Sequence, residues 1–192
     1  MDFVDLNKRR RSVRHFKQEI LKREELLDLV DAASFAHSIG NRQSLRYLIV
    51  TEKSKVNDIF ENSSLGLVNQ GDAGLVESDF SPGSYILTLG QRSLSHVDFA
   101  DAGASFQNMA LIGIEMNIGL FWVHAFAAEV LQKTLEIPSE QTIVNVIAVG
   151  RPAESPVVVS ITPGEEEQYY DSAEKFQKTS KLRGQYLVSW RE

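Results

Sequence analysis

The stretch from Asp98 to Asn117 constrains this chain more than any other. Phe99, Ala102, Gly103, Phe106, Met109, Ala110 and Gly113 recur at helical spacing along one side, and Leu111, Ile112 and Ile114 make the other side apolar too. The spacing predicts a helix about 30 Å long at 1.5 Å per residue. A helix apolar nearly all round belongs at the centre of a fold or in a subunit interface. Its small residues at 102, 103, 110 and 113 admit close approach by another helix or by a flat ligand. His96, Asp98 and Asp101 could be drawn as metal ligands, but they read better as a helix start with Asp98 as its cap. Gly119 is placed to end the helix.

Shorter elements surround it. Asp2 can cap a short helix carrying Phe3 and Leu6, with Lys8 and Arg9 completing its last turn, where cations complement the helix dipole. Lys22 to Phe35 reads as an amphipathic helix on Leu26, Leu29, Val30 and Ala33. Leu45 to Thr51 and Ser84 to Leu89 read as strands, with a helix over Lys53 to Glu61 between them. Leu120 to Phe126 is apolar and aromatic, a short helix follows over Ala127 to Leu135, and Thr142 to Val149 reads as a central strand closed by Gly150-Arg151-Pro152. Tyr186 to Trp190 alternates like a terminal strand. Asn62 to Gly83, broken by glycines and Pro82, is expected to be a loop that could serve as a lid. The order lacks regular βαβ alternation and gives an α+β domain, with helices covering a small mixed β-sheet. No linker divides the chain, so one domain is expected over residues 1–192.

Composition removes several function classes. The 192 residues contain no cysteine, which excludes disulfides, thiolate metal sites and cysteine nucleophiles and fits a cytoplasmic setting. No apolar run reaches the roughly 18 to 20 residues that a bilayer span needs, and the charged start is no secretory signal. No zinc signature, P-loop, nucleophile elbow or dinucleotide fingerprint is present, and the single histidines lack ligand spacing. If the protein is an enzyme, a bound cofactor must carry the hard chemistry.

One feature runs against the chain's formal charge of −6: Lys8, Arg9, Arg10, Arg11 and Arg14 put five of its 20 cations into seven residues. Such a patch must face an anion. Nucleic acid is one candidate, but the acidic total and the missing helix-turn-helix weigh against it. A second cationic cluster lies at Lys175, Lys178, Lys181 and Arg183, and a polar loop at Ser38, Asn41, Gln43 and Ser44 has more hydrogen-bonding side chains than a turn needs.

The order of these motifs resembles the FMN-dependent nitroreductase family. Arg10-Arg11-Ser12-Val13-Arg14-His15-Phe16 is similar to its Arg-Arg-Ser-x-Arg-x-Phe opening, and Ala36 to Tyr47 to its Ala-Pro-Ser-x-x-Asn-x-Gln-Pro-Trp loop. Asp101 to Leu111 resembles its central helix, Ile118-Gly119-Leu120 the end of that helix, Ile143 to Pro152 the strand finishing in Gly-x-Pro, and Lys181-Leu182-Arg183 its C-terminal Lys-x-Arg pair. The resemblance implies FMN at the interface of an intertwined homodimer and NAD(P)H as a transient donor. The acceptor would be a small molecule such as a nitroaromatic or quinone; neither nucleic acid nor membrane is a partner. It implies that Arg10, Lys181 and Arg183 hold the phosphate, that Arg11 and Ser12 follow the ribityl chain and ring edge, and that Arg14 lies near flavin N1 and O2. Asn41 would hydrogen-bond the isoalloxazine edge, Gln43 would also bind the cofactor, Ser38 would come from the partner subunit, and His124-Ala125 would lie near N5. Three departures stand out: His37-Ser38 replaces Pro-Ser, Ser44-Leu45 replaces Pro-Trp, and Gly119-Leu120-Phe121 replaces Gly-Leu-Gly. Relatives that dehalogenate, fragment flavin or oxidise heterocycles keep other reactions open, with a non-enzymatic nucleic-acid-binding module as the remote alternative.

Overall fold

The structure, a computed structural model, describes residues 2–65, 81–165 and 178–188. Its centre is a four-stranded sheet ordered β1-β2-β4-β3, from β1 (Arg46–Val50), β2 (Ser84–Gln91), β3 (Gly119–Val123) and β4 (Gln141–Gly150). All three pairings are antiparallel. The parallel pairing lies in a separate ribbon, β5 (Val157–Ile161) on β6 (Lys178–Leu182), so the two kinds of pairing do not share one sheet.

The sheet is buried on both faces, which is why β2 and β4 read as nearly continuous apolar runs. One face carries Tyr85, Leu87, Phe121, Val123, Val146 and Ala148. They pack with Val56 and Ile59 of α3 (Lys53–Glu61) and Leu131 of α5 (Ala128–Thr134). The opposite face carries Ile86, Leu120, Ile147 and Val149, against Leu26, Leu29 and Ala33 of α2 (Arg23–Ser34) and Met109 of α4 (His96–Glu115). Full burial of each such side chain contributes about 1.5–3 kcal/mol. A bulge between Thr88 and Leu89 leaves Val144 unmatched, because Thr88 faces Asn145 while Leu89 faces Ile143.

The long helix forms as expected but with other punctuation. Ser95, not Asp98, is its cap: Asp98 is the third helical residue and accepts from the Ser95 N–H at 2.8 Å, completing a capping box. Asn117, at φ 56°, makes the left-handed stop that glycine was expected to make, and the Ile118 N–H returns to the Gly113 carbonyl at 2.6 Å. Gly119 instead opens β3. A Cβ there would lie 2.7 Å from the Cβ of Val13, so the glycine makes room for the N-terminal tract.

Leu120 to Phe126 supplies β3 and its exit, and Val157–Ile161 is a strand that apolar patterning had not assigned. Tyr186 lies in a 3-10 turn over Gly184–Tyr186, not in a strand; residues 189–192 lie outside the described residues. So do residues 66–80, most of the expected lid, together with residues 166–168 of the acidic loop and Lys175.

Candidate functional site

The arginine tract is pinned by its apolar members. After α1 (Phe3–Arg9), Val13 and Phe16 turn inward, 7% and 0% exposed. The Val13 N–H donates to the Leu120 carbonyl at 3.0 Å and the Lys17 N–H to the Arg151 carbonyl at 2.8 Å. Phe16 forms an isolated bridge with Pro152, and a Cβ on Gly150 would lie 3.0 Å from the Phe16 ring. The chain therefore passes over the ends of β3 and β4, with Arg10, Arg11, Ser12 and Arg14 half-buried along it.

Two of these arginines are adjacent cations placed where water is scarce. Burial lowers the pKa of Arg10. Burial, and then the neighbouring Arg10 charge, lowers that of Arg11. Neither forms a salt bridge among the described residues. Arg11 Nη1 donates to the Arg10 carbonyl, while its buried Nε has no partner. Such a pair is destabilising alone and is relieved by an anion with several acceptor oxygens. Arg11 opens with Lys8 and Arg9 onto a cavity of about 380 Å³, also lined by Gly119, Leu120, Pro152, Glu154 and Val158.

Arg14 is held twice. Glu154, four residues beyond the end of β4, accepts from the Arg14 N–H and, at 3.1 Å, from the His15 N–H; its second oxygen lies 3.1 Å from His15 Nδ1. Burial pushes the Glu154 carboxyl up, but the hydrogen bonds from His15 and the two backbone donors outweigh it and hold the group below the usual carboxylate range. The Arg14 guanidinium lies over the Phe121 ring, 4.5 Å from its centroid, a contact worth about 0.5–2 kcal/mol. His124 meets the same ring edge-on at 6.3 Å. Beyond it the Ala125 carbonyl accepts from the Ser64 N–H at 2.7 Å, which ties the end of β3 to the segment after α3.

The polar loop is built differently. Gly40, Asn41 and Gln43 all have positive φ (64°, 53° and 48°), a density of left-handed backbone that ordinary turns do not need. Two acids of α4 hold it. Buried Asp101 accepts from the Ser38 hydroxyl at 2.9 Å and from the Ile39 N–H at 3.1 Å, and Asp98 from the Ser44 hydroxyl at 3.2 Å. The Ser38 hydroxyl in turn accepts from the Gln43 N–H at 3.0 Å, and Gln43 Nε2 donates to Asn41 Oδ1 at 3.0 Å. The Ser38 proton is thus committed to Asp101. Ser38 and Gln43 line a second cavity of about 270 Å³ with His37, Tyr47 and Ser105. Burial raises the Tyr47 pKa, partly countered by a hydrogen bond with Ser105.

The expected residues thus fall into separate groups. Arg10, Arg11, Ser12 and Arg14 lie along the tract, and Ser38, Asn41 and Gln43 in the loop. His124 and Ala125 lie beyond β3; exposed Lys181 and Arg183 lie in and after β6, whose neighbour β5 reaches the first cavity through Val158. Neither of these two cavities is lined by both tract and loop. Sequence reasoning did not single out Glu154 or the Phe121–Arg14 contact. Glu154 is one acid in an acidic chain, and only the meeting of segments 140 residues apart reveals its task. Asp101 was weighed as a metal ligand; it is the loop's anchor, and no group of three or more potential ligands occurs among the described residues.

The family model described as "Nitroreductase family" matches residues 8–151. The chain belongs to the nitroreductase family. A Bacillus subtilis relative, provisionally named an NAD(P)H nitroreductase, is 25% identical over 175 residues, covering 83% of this chain and 89% of its own. Among solved structures, a nitroreductase family protein of Clostridium difficile superposes with a TM-score of 0.68 at 20% identity, covering 100% of this chain and 99% of that one. A Desulfovibrio desulfuricans protein solved in complex with FMN gives 0.67 at 23% identity, covering 84% and 91%. These likenesses place the α+β architecture within the nitroreductase fold. No helix among the described residues is long and apolar enough to cross a membrane.

Proposed function

We propose that this nitroreductase-family chain is an FMN-dependent oxidoreductase. It would take reducing equivalents from NAD(P)H and pass them, in a ping-pong cycle, to a small-molecule acceptor such as a nitroaromatic or quinone. The observation that carries this reading is the Arg10–Arg11 pair, desolvated, without a carboxylate partner among the described residues, and leaving the buried Arg11 Nε unsatisfied. The chemistry of that donor set fits a dianionic phosphate ester. FMN, when bound, supplies the reversible two-electron chemistry that no side chain here can supply.

The chain's own residues would bind and orient. Arg10, Lys181 and Arg183 neutralise the phosphate; Arg11, which the resemblance put beside the ribityl chain, joins them because its buried Nε still lacks an acceptor, and Ser12 follows the ribityl chain. Arg14 presents a fixed cation to the pyrimidine edge, where it favours extra negative charge. Asn41 and Gln43, held by the strained loop, edge the ring, and His124-Ala125 stand by N5. Ser38, and with it Asn41 and Gln43 on the same loop, would reach the flavin of a second copy, since the loop's cavity and the tract's cavity are separate within one chain. A homodimer therefore belongs to this reading, as do one domain over residues 1–192 and a cytoplasmic setting. Nucleic acid is disfavoured as the anion, because Val13 and Phe16 anchor the tract and Glu154 sits on its backbone.

The purified protein should be yellow, or become so with FMN, and its flavin absorption should bleach anaerobically on adding NADH or NADPH. A colourless protein that FMN cannot reconstitute would overturn the reading.

A further inference from the structure

Phe121 departs from the family pattern at a position that touches Arg14. Where the family resemblance leads one to expect the second glycine of Gly-Leu-Gly, this chain places a ring that is 6% exposed, on β3 opposite Ala148. The ring's face receives the Arg14 guanidinium at 4.5 Å. Glu154 accepts from the Arg14 N–H, and its hold on the next residue through both the N–H and Nδ1 of His15 leaves that backbone little freedom. Both ends of Arg14 are therefore constrained, the backbone by a buried carboxylate and the guanidinium by an aromatic face.

We propose that Phe121 is a positioning residue acting through Arg14: its ring, together with Glu154 on the backbone, holds the guanidinium ready for the pyrimidine edge of FMN. The inference rests on the FMN reading given above. An arginine on a free stem loses rotamer freedom when it meets its ligand, whereas one already stacked has less to lose. A planar cation on a rigid ring also keeps its orientation as charge grows on the ligand, and such pre-aimed charge discriminates best between two charge states. A glycine at 121 could offer no such face. The departure thus bears on how strongly this protein favours reduced over oxidised FMN, while leaving phosphate capture to Arg10 and Arg11.

The test compares wild type with Phe121→Leu, Phe121→Tyr, Arg14→Met and the Arg14→Met/Phe121→Leu double variant. The two-electron potential of bound FMN is read by anaerobic equilibration with a reference dye, and the dissociation constant of oxidised FMN by fluorescence. Phe121→Leu should lower the preference for reduced FMN about tenfold, equivalent to a potential about 30 mV lower. Phe121→Tyr, which keeps the ring, should retain the wild-type potential. In the Arg14→Met background Phe121→Leu should change nothing further. If Phe121→Leu does not fold, as judged by its thermal melt, Phe121→Met fills a similar volume and takes its place. An unchanged potential in the ring-less variant overturns the inference while leaving the FMN reading intact, and so does an equal shift in the Arg14→Met background. A wild-type protein that binds no FMN overturns both.

Discussion

Glu154 shows how one side chain can set a site while being absent from every motif. It unites three donors from a tract 139 and 140 residues away: two backbone N–H groups and the Nδ1 edge of His15. Removing it strands buried donors, so Glu154→Ala should cost about 2–4 kcal/mol of unfolding free energy. Glu154→Gln, which keeps one acceptor, should cost less. The pH dependence has a definite sign. The folded carboxyl lies below the usual range, against about 4.3 for an unfolded glutamate, so its stabilisation is fully present above the unfolded value. It is lost as pH falls through the folded value. Urea unfolding of wild type and Glu154→Gln should therefore differ at pH 7 and converge only once pH has fallen through the depressed folded value. A difference that persists unchanged into acid would mean that the charge is not what stabilises the tract.

At the scale of elements, the loop between α2 and β1 is where local backbone preference gives way to its neighbours. Gly40 has a φ of 64°, and a Cβ there would meet only Arg42 Cγ, at 3.8 Å. Gly40→Ala therefore isolates the backbone cost, and urea unfolding should show a loss of about 1–2 kcal/mol at an unchanged m-value. A neutral result would mean that the loop relaxes freely and is not held by Asp101 and Asp98. The same loop marks how far the sequence could be read. Its hydrogen-bonding side chains were visible, but Asp101 as their anchor was not, since that depends on α4 arriving beside them. Helical spacing located α2 and α3 closely because each has one buried stripe, whereas α5 buries Leu131 alone. The ends of α4 were misread because Ser95 and Asn117 do what Asp98 and Gly119 could also have done. β5 escaped notice because Val157-Val158-Val159 is a short unbroken apolar run, which lacks the alternation that marks a half-buried strand. Of the candidate site, the resemblance supplied the residue list; the clamp on Arg14 required the folded chain.

The whole molecule leaves apolar surface that the chain alone does not cover. Phe99 and Ile112 on α4 are 50% and 41% exposed, and Val157, Val158 and Val159 of β5 lie open beside the tract's cavity. The helix that is apolar nearly all round thus buries one side against α2 and the sheet and presents the other to solvent. Within one chain the tract and the Ser38 loop line different cavities. If FMN is completed by residues of two copies, flavin binding and association must be linked, each strengthening the other by the same factor. Sedimentation of the FMN-loaded protein should therefore give twice the 21.5 kDa of one chain. Ile112→Glu places a charge that one chain tolerates at an exposed position but a dimer interface must desolvate. This variant should sediment at the single-chain mass and bind FMN at least tenfold more weakly, equivalent to about 1.4 kcal/mol. Its thermal melt without FMN at low protein concentration should stay close to wild type, separating a broken interface from a broken fold. A monomeric variant that holds FMN as tightly as wild type would show that one chain completes the site, and would return Ser38 to its structural role beside Asp101.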